Sequence, residues 1–198
     1  NRATREFYIP GSTFKTFTMI SAFRAGRENL LFPGRPSSAV PPCYTPFRGS
    51  RPICDDGGSC HACSEAVPLK EAFKVSSNQY FAQMANALGR ERMGETARQV
   101  GMLPVETGAE ATKQGFFSEI WNTSTPRIAN SIAPSRSTIV TGKELSHFDF
   151  GLEGMGQGMA GQMTPFQMAL IVAAAGNIDG KLMKPKIEAD IQPQMFAQ

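Results

Sequence analysis

Apolar residues recur at helical spacing in several separate stretches of the chain, each bracketed by Gly or Pro. The first begins at Ser12 and runs to about Gly26. Phe14, Phe17, Met19, Ile20, Ala22 and Phe23 leave it no clean polar face, the pattern of a helix buried on most sides. Pro10-Gly11 stops whatever precedes it. A short helix is predicted over residues 69–75, with Pro68 at its favoured first position, and Ser76-Ser77-Asn78 interrupts it. Residues 79–88 form the next helix, with Tyr80, Phe81, Met84 and Leu88 at core spacing and Gly89 as the stop. A further amphipathic helix covers residues 90–100 and is closed by Gly101. The best announced helix follows Thr164, an N-cap, with Pro165 in the first position and Gln167 completing a capping box. Its body, residues 166–175, is apolar all round and is expected to be buried. Gly176-Asn177 ends it, and residues 181–185 have the pattern of a short edge strand.

Two stretches lack such a pattern. Residues 27–67 are rich in Pro, Gly, Ser and Arg and read as a long loop or inserted excursion. All four cysteines, Cys43, Cys54, Cys60 and Cys63, fall there, away from the predicted helices. Two disulfides suit a secreted protein, with three connectivities that sequence does not separate. A four-thiolate zinc site is the rival, for which Cys60-x-x-Cys63 has the right spacing and the pair Cys43 and Cys54 does not. His61 is a second candidate ligand or a plain loop residue. Residues 102–150 give weak signals: loops with short helices or strand pieces around Phe116, Phe117, Ile120 and Trp121. Asn122-Thr123-Ser124 is a formal glycosylation sequon and carries no weight.

Composition narrows the classes without choosing among them. The 198 residues suffice for one domain with a core, and 41% hydrophobic against 19% charged content is an ordinary globular balance. A net charge of +3 with no basic stripe does not suggest nucleic acid. The longest apolar run, residues 168–175, is far too short to cross a bilayer, and no signal peptide is recognisable. The chain opens at Asn1 rather than Met and is expected to be a piece of a longer protein.

Candidate chemistry centres on Ser12 and Lys15. Three apart, they share one helix face. A serine hydroxyl becomes a nucleophile when a neighbouring base takes its proton, and a lysine serves only when neutral. Burial and the positive end of a helix both disfavour the ammonium. The same helix end offers N–H groups to a developing oxyanion. Ser-x-x-Lys alone occurs by chance roughly once in a chain or two of this length. Ser12 as a simple cap and Lys15 as a solvated residue is therefore the competing reading, but a lysine at the mouth of a buried helix needs a reason. Ser76-Ser77-Asn78, taken alone, reads as a capping cluster. Residues 156–161 match G-x-G-x-x-G, yet no apolar strand leads in and the next helix starts late, so the match is treated as a decoy.

Three stretches in series resemble the transpeptidase domain of penicillin-binding proteins. Tyr8-Ile9-Pro10-Gly11-Ser12-Thr13-Phe14-Lys15 is similar to its Ser-x-x-Lys motif with the usual Pro-Gly lead-in. Ser76-Ser77-Asn78 followed by Gln79-Tyr80-Phe81-Ala82 is similar to its Ser-x-Asn motif and helix. Gly156-Gln157-Gly158 and then Thr164-Pro165-Phe166-Gln167-Met168-Ala169 resemble its Gly-Gln-Gly and Thr-Pro-x-Gln-Met-Ala run. The resemblance implies an α/β fold of the β-lactamase/transpeptidase type, present here mostly as its helical part. It implies a partial transpeptidase domain over residues 1–198, with residues 27–67 as a cysteine-containing excursion.

The resemblance also implies roles. Ser12 is the acylated nucleophile, Lys15 its proton acceptor, Ser76 the relay to the leaving amine, and Asn78 the holder of the substrate amide. The implied activity is peptidoglycan D,D-transpeptidation, with stem peptides and β-lactams as ligands, no cofactor, and a glycan-polymerising membrane partner. The implied location is extracytoplasmic, on a parent anchored by a segment outside these residues. The family's third motif, Lys-Thr-Gly on a strand, does not occur here, and Val140-Thr141-Gly142-Lys143 has the letters in the wrong order and place. These residues alone are therefore expected to acylate poorly. Two alternatives stand beside this reading: a β-lactamase or β-lactam sensor of the same superfamily, and a non-enzymatic module built on a four-cysteine zinc loop.

Overall fold

A computed structural model describes residues 2–111, 134–158, 161–185 and 192–198. The apolar points Phe116, Phe117, Ile120 and Trp121, the sequon, and residues 159–160 of the glycine run lie outside these. Within the described residues the order is a 3-10 turn Gly11–Phe14, α1 (Lys15–Arg24), α2 (Leu69–Lys74), α3 (Asn78–Gln99), β1 (Leu103–Val105), α4 (Gly108–Ala111), β2 (Thr138–Val140), α5 (His147–Gly154), α6 (Pro165–Gly176), β3 (Leu182–Met183) and β4 (Met195–Ala197).

The core lies where α1 and α5 pack on α3 and α6 packs on α1. Phe17, Phe81, Met84, Leu88, Phe150 and Ile171 are fully buried there. Contact of α5 with α3 is close because small residues face each other: Gly151 and Gly154 lie against Ala82 and Ala85. Thr18 of α1 donates to the Gly154 carbonyl at 2.5 Å, which ties α1 to the end of α5. None of the described helices is long and apolar enough to cross a membrane.

Several expectations needed correction. The helix predicted from Ser12 opens as a tight 3-10 turn and becomes α-helical only at Lys15. Pro68 is the N-cap of α2 rather than its first residue. Gly89 does break the helix, as expected: at φ 78° and ψ 167° it leaves helical geometry, and α3 is two helical stretches that meet there, the second running on to Gln99. Gln167 does not close a capping box, because its amide reaches across to donate to the Val100 carbonyl at 2.6 Å. The Thr164 N–H is taken instead by the buried hydroxyl of Ser137, at 3.0 Å, while Thr164 Oγ1 still accepts from the Gln167 N–H. The body of α6 is not buried all round. Val172 is 47% exposed and borders an apolar groove with Tyr8, Ile9, Pro10, Met168 and Ala169.

The strands are short. β1 and β2 pair in parallel, Leu103 opposite Thr138 and Val105 opposite Val140, and β3 pairs with β4 antiparallel. Two further bridges carry the ladder to the front of the molecule, Thr138 with Gln162 and Met163 with Tyr8. This ladder seats the segment leading to Ser12.

Residues 27–67 are not an excursion lying away from the motif helices. The stretch is two nested bridges, Phe32 with Val67 and, inside it, Tyr44 with Ile53. It is stitched to α3 by side chains that bind its backbone. Gln79, fully buried, accepts from the Arg35 N–H at 3.1 Å and donates to the Arg35 carbonyl at 2.8 Å. Tyr80 donates to the Leu30 carbonyl at 2.9 Å, and Gln83 to that of Pro33 at 3.0 Å. Each bond satisfies a backbone group that a loop over a core would otherwise leave unpaired. Cys43 is bonded to Cys54, beside the inner bridge, and Cys60 to Cys63. The sulfurs thus lie in two pairs, and among the described residues no group of three or more His, Cys, Asp or Glu could hold a metal ion.

Candidate active site

The site forms where the 3-10 turn, the first turn of α1, the α2–α3 junction and the inner part of the cysteine loop meet. Lys15 is the hub. It is 1% exposed, and its Nζ stands 3.1 Å from Ser12 Oγ, 2.9 Å from Ser76 Oγ, 2.6 Å from the Ser76 carbonyl oxygen and 2.7 Å from Asn78 Oδ1. Ser12, Lys15, Ser76 and Asn78, sixty-odd residues apart in two pairs, are therefore brought together. Ser12 is not a helix cap: it lies inside the turn, whose N-cap is Pro10, and α1 is capped by Phe14.

The geometry at Nζ has a chemical reading. The Ser76 carbonyl and Asn78 Oδ1 can only accept, so they claim two N–H bonds of Lys15. The third valence faces two hydroxyls, which can donate as well as accept. It therefore suits a lone pair as well as a proton. Burial pushes the Lys15 ammonium down to about 8, against an opposing pull from Asp55 and Asp56. With that value, about a tenth of Lys15 is neutral at pH 7.

The α2–α3 junction is built to aim Ser76. Ser76 N–H donates to the Phe73 carbonyl and Ser77 N–H to that of Ala72, the two bonds of a Schellman turn at the end of α2. The residue after the C-cap of such a turn must be left-handed, and Ser76 is, at φ 55°. A glycine usually takes that place, so a serine there carries strain of about 1 kcal/mol or more. Ser77 ends one helix and caps the next, its Oγ accepting from the Tyr80 N–H at 3.2 Å. Asn78 is oriented from both ends, since its Nδ2 donates to the Cys54 carbonyl at 3.2 Å.

The turn that carries Ser12 is held from behind. Gly11 N–H donates to the Gly156 carbonyl at 2.8 Å. Gly156 comes so close that a Cβ on it would stand 1.9 Å from the Gly11 carbonyl oxygen, and its φ is 88°. The first glycine of the nucleotide-like run is thus a packing glycine of this site. Behind it Glu153, 5% exposed, accepts from the Val140 N–H at 3.3 Å and lies against Gly158 and Gly161. Burial pushes its carboxyl up to about 7.

Sequence reasoning missed three of these residues. Asp55 stands in a stretch without periodicity, and no local pattern singles it out. Glu153 looks like a solvent position in an ordinary amphipathic turn. Gly156 was visible as part of a decoy motif and of the Gly-Gln-Gly run, but neither gave it a packing role, and its approach to Gly11 spans 145 residues of chain.

A serine and a buried lysine on one turn are thus met by Ser-x-Asn from the α2–α3 junction, the arrangement of the Ser-x-x-Lys class. The model of the penicillin binding protein transpeptidase domain matches residues 1–196, and the chain belongs to that family. It is 28% identical over 186 residues, 93% of its length, to peptidoglycan D,D-transpeptidase PbpA of Mycolicibacterium smegmatis. It is 34% identical over 103 residues, 52% of its length, to the protein of the same name from Mycobacterium tuberculosis. It spans 32% and 20% of those two relatives. Among solved structures, the ceftriaxone acyl-enzyme complex of penicillin-binding protein A from M. tuberculosis superposes with a TM-score of 0.66 at 26% identity, over 93% of this chain and 35% of that one. The imipenem acyl-enzyme complex of the same protein gives 0.65 at 27%, over 93% and 36%. The fold is that α/β fold, represented in these residues by a mainly helical part.

Proposed function

We propose that the whole protein is a peptidoglycan D,D-transpeptidase in which Ser12 is the acylated residue. The observation that carries this reading is the placement of Lys15 Nζ, 3.1 Å from Ser12 Oγ and 2.9 Å from Ser76 Oγ, with its other bonds already committed. The relatives named peptidoglycan D,D-transpeptidase support it. In the first half-reaction Ser12 Oγ attacks the penultimate D-Ala carbonyl of a stem peptide and its proton passes to neutral Lys15. As the C–N bond breaks, the proton returns through the Ser76 hydroxyl to the departing D-Ala amine. Asn78 holds the substrate amide. An amine from a second strand then attacks the ester, gives its proton to Lys15, and Ser12 recovers its own. A β-lactam enters by the first half-reaction, its ring amide opening onto Ser12.

The partners of this reading are stem peptides, β-lactams and a glycan-polymerising membrane protein. Its place is extracytoplasmic, where two disulfides persist. Labelled penicillin applied to the whole protein is expected to form one adduct on the peptide carrying Ser12, and Ser12→Ala to lose it. An adduct mapped to another residue, or normal labelling of the variant, removes the reading.

A further inference from the structure

The buried acid of the cysteine loop has no role in the chemistry above. Asp55 is 3% exposed, and both its oxygens are spent on one place, the α2–α3 junction and its neighbour. Oδ1 accepts from Ser77 Oγ at 3.1 Å and from the Gln79 N–H at 3.1 Å. Oδ2 accepts from the His61 N–H at 2.7 Å and faces Ser77 Oγ at 3.3 Å. Gln79 is the second residue of α3, so the carboxylate satisfies one of the free N–H groups at the positive end of a 22-residue helix. Because Ser77 gives its hydroxyl proton to Asp55, its lone pairs are left for the Tyr80 N–H. The turn that presents Ser76 and Asn78 is therefore pinned by a charge brought from another part of the chain.

We propose that Asp55 is a positioning residue of this site: its carboxylate fixes the Ser76-Ser77-Asn78 turn against Lys15 and keeps a negative charge behind the amine. The inference rests on the transpeptidase reading for its functional meaning, but its geometry stands apart from it. The charges acting on Lys15 are Asp55 and the exposed Asp56, both from the cysteine loop. From α3 the Phe81 ring faces Nζ, its centroid at 6.0 Å, and Asn78 brings its Oδ1; the 3-10 turn brings the Ser12 hydroxyl, and the α2–α3 junction the Ser76 hydroxyl and carbonyl. Both acids favour the ammonium, so removing Asp55 makes Lys15 lose its proton at lower pH.

Two measurements on the whole protein test this. The first follows the 13Cε shift of Lys15 with pH, assigned by its loss in Lys15→Met, and needs no turnover. Asp55→Asn is expected to move that titration down by about half a unit to one unit, and Asp55→Glu to leave it in place. The second is the pH profile of penicillin acylation. Asp55→Asn should shift the rising limb by the same amount and lower the plateau roughly 10- to 100-fold, as misplacement of reacting groups does. Ser77→Ala, which keeps the charge, should lower the plateau about fivefold or more without moving the limb. It serves also where Asp55→Asn does not fold. An unmoved Lys15 titration in Asp55→Asn, or a wild-type plateau in Ser77→Ala, overturns the proposal. Wild-type protein that takes no label at Ser12 overturns the transpeptidase reading, while the Lys15 titration still judges Asp55.

Discussion

The two walls of the site are held by different physics. The helical wall, α1 with the first turn of α3, rests on the core: Phe17, Phe81 and Met84 are fully buried beneath it, and close glycine contacts lock its position. The loop wall, residues 30–67, buries few large apolar groups. It is held by bridges, a disulfide within the loop, and the side chains of Gln79, Tyr80, Gln83 and Asn78 binding its carbonyls. Packing fixes Ser12 and Lys15; hydrogen bonds and a covalent tie fix what orients them. The first wall tolerates no added volume, and the second tolerates no lost partner.

The largest effect should come from adding volume to the helical wall. Gly156→Ala puts a methyl 1.9 Å from the Gly11 carbonyl oxygen, against backbone that cannot rotate away, at a φ of 88°. A loss of about 2–4 kcal/mol is expected, read by thermal or urea unfolding. Because the clash falls on the turn before Ser12, penicillin acylation at a temperature where the variant is folded should also fall by more than tenfold. A variant as stable and as active as wild type would show that the turn gives freely and that packing does not set the nucleophile.

Removing the tie in the loop wall should cost somewhat less. Cys43 and Cys54 are 11 apart, so the doubly substituted Cys43→Ser/Cys54→Ser chain should lose about 2–3 kcal/mol by the loop-entropy relation. Acylation should drop only a few-fold, because Ser77, Gln79 and His61 still hold Asp55 beside the junction. Reductant titration against an alkylation count checks the first statement, and labelled penicillin checks the second. A larger fall in acylation than Gly156→Ala produces would reverse the ranking of the two walls.

This division also decides what could be read from the sequence. The helical wall was legible because packing leaves a period: Phe14, Phe17 and Ile20, or Tyr80, Phe81, Met84 and Leu88, declare their faces within two turns. Ser12 and Lys15 could be paired from their spacing at the mouth of such an element, whereas Ser76 and Asn78, which alone read as a capping cluster, were named through the resemblance of a short motif to the family's. The loop wall leaves no period, since its bonds run from a side chain on α3 to a backbone carbonyl 24 to 50 residues earlier, and any residue has a carbonyl. The cysteines marked the stretch, but they could not show that Asp55 would be carried beneath Ser77. Gln167 failed for a related reason. It was given its commonest local use, a capping box, and a tertiary contact imposed another.

The smallest expected effect on stability lies on the seam between the walls, at Ser76. Its left-handed φ of 55° is strain that the Schellman turn imposes and that only the hydroxyl's use against Lys15 explains. Ser76→Ala and Ser76→Gly both delete that hydroxyl, and both should slow acylation alike, by about two orders of magnitude for a lost proton relay. They should differ in stability. Alanine keeps the strained backbone, whereas glycine adopts it freely, offset in part by the freedom glycine gains in the unfolded chain. Ser76→Gly is therefore expected to be more stable than Ser76→Ala by about 1 kcal/mol, read as the difference between their urea midpoints at a common slope. Equal midpoints would mean that the turn relaxes once the hydroxyl is gone. In that case the strain belongs to the Lys15 contact rather than to the end of α2, and the helical wall, not the junction, dictates where Ser76 points.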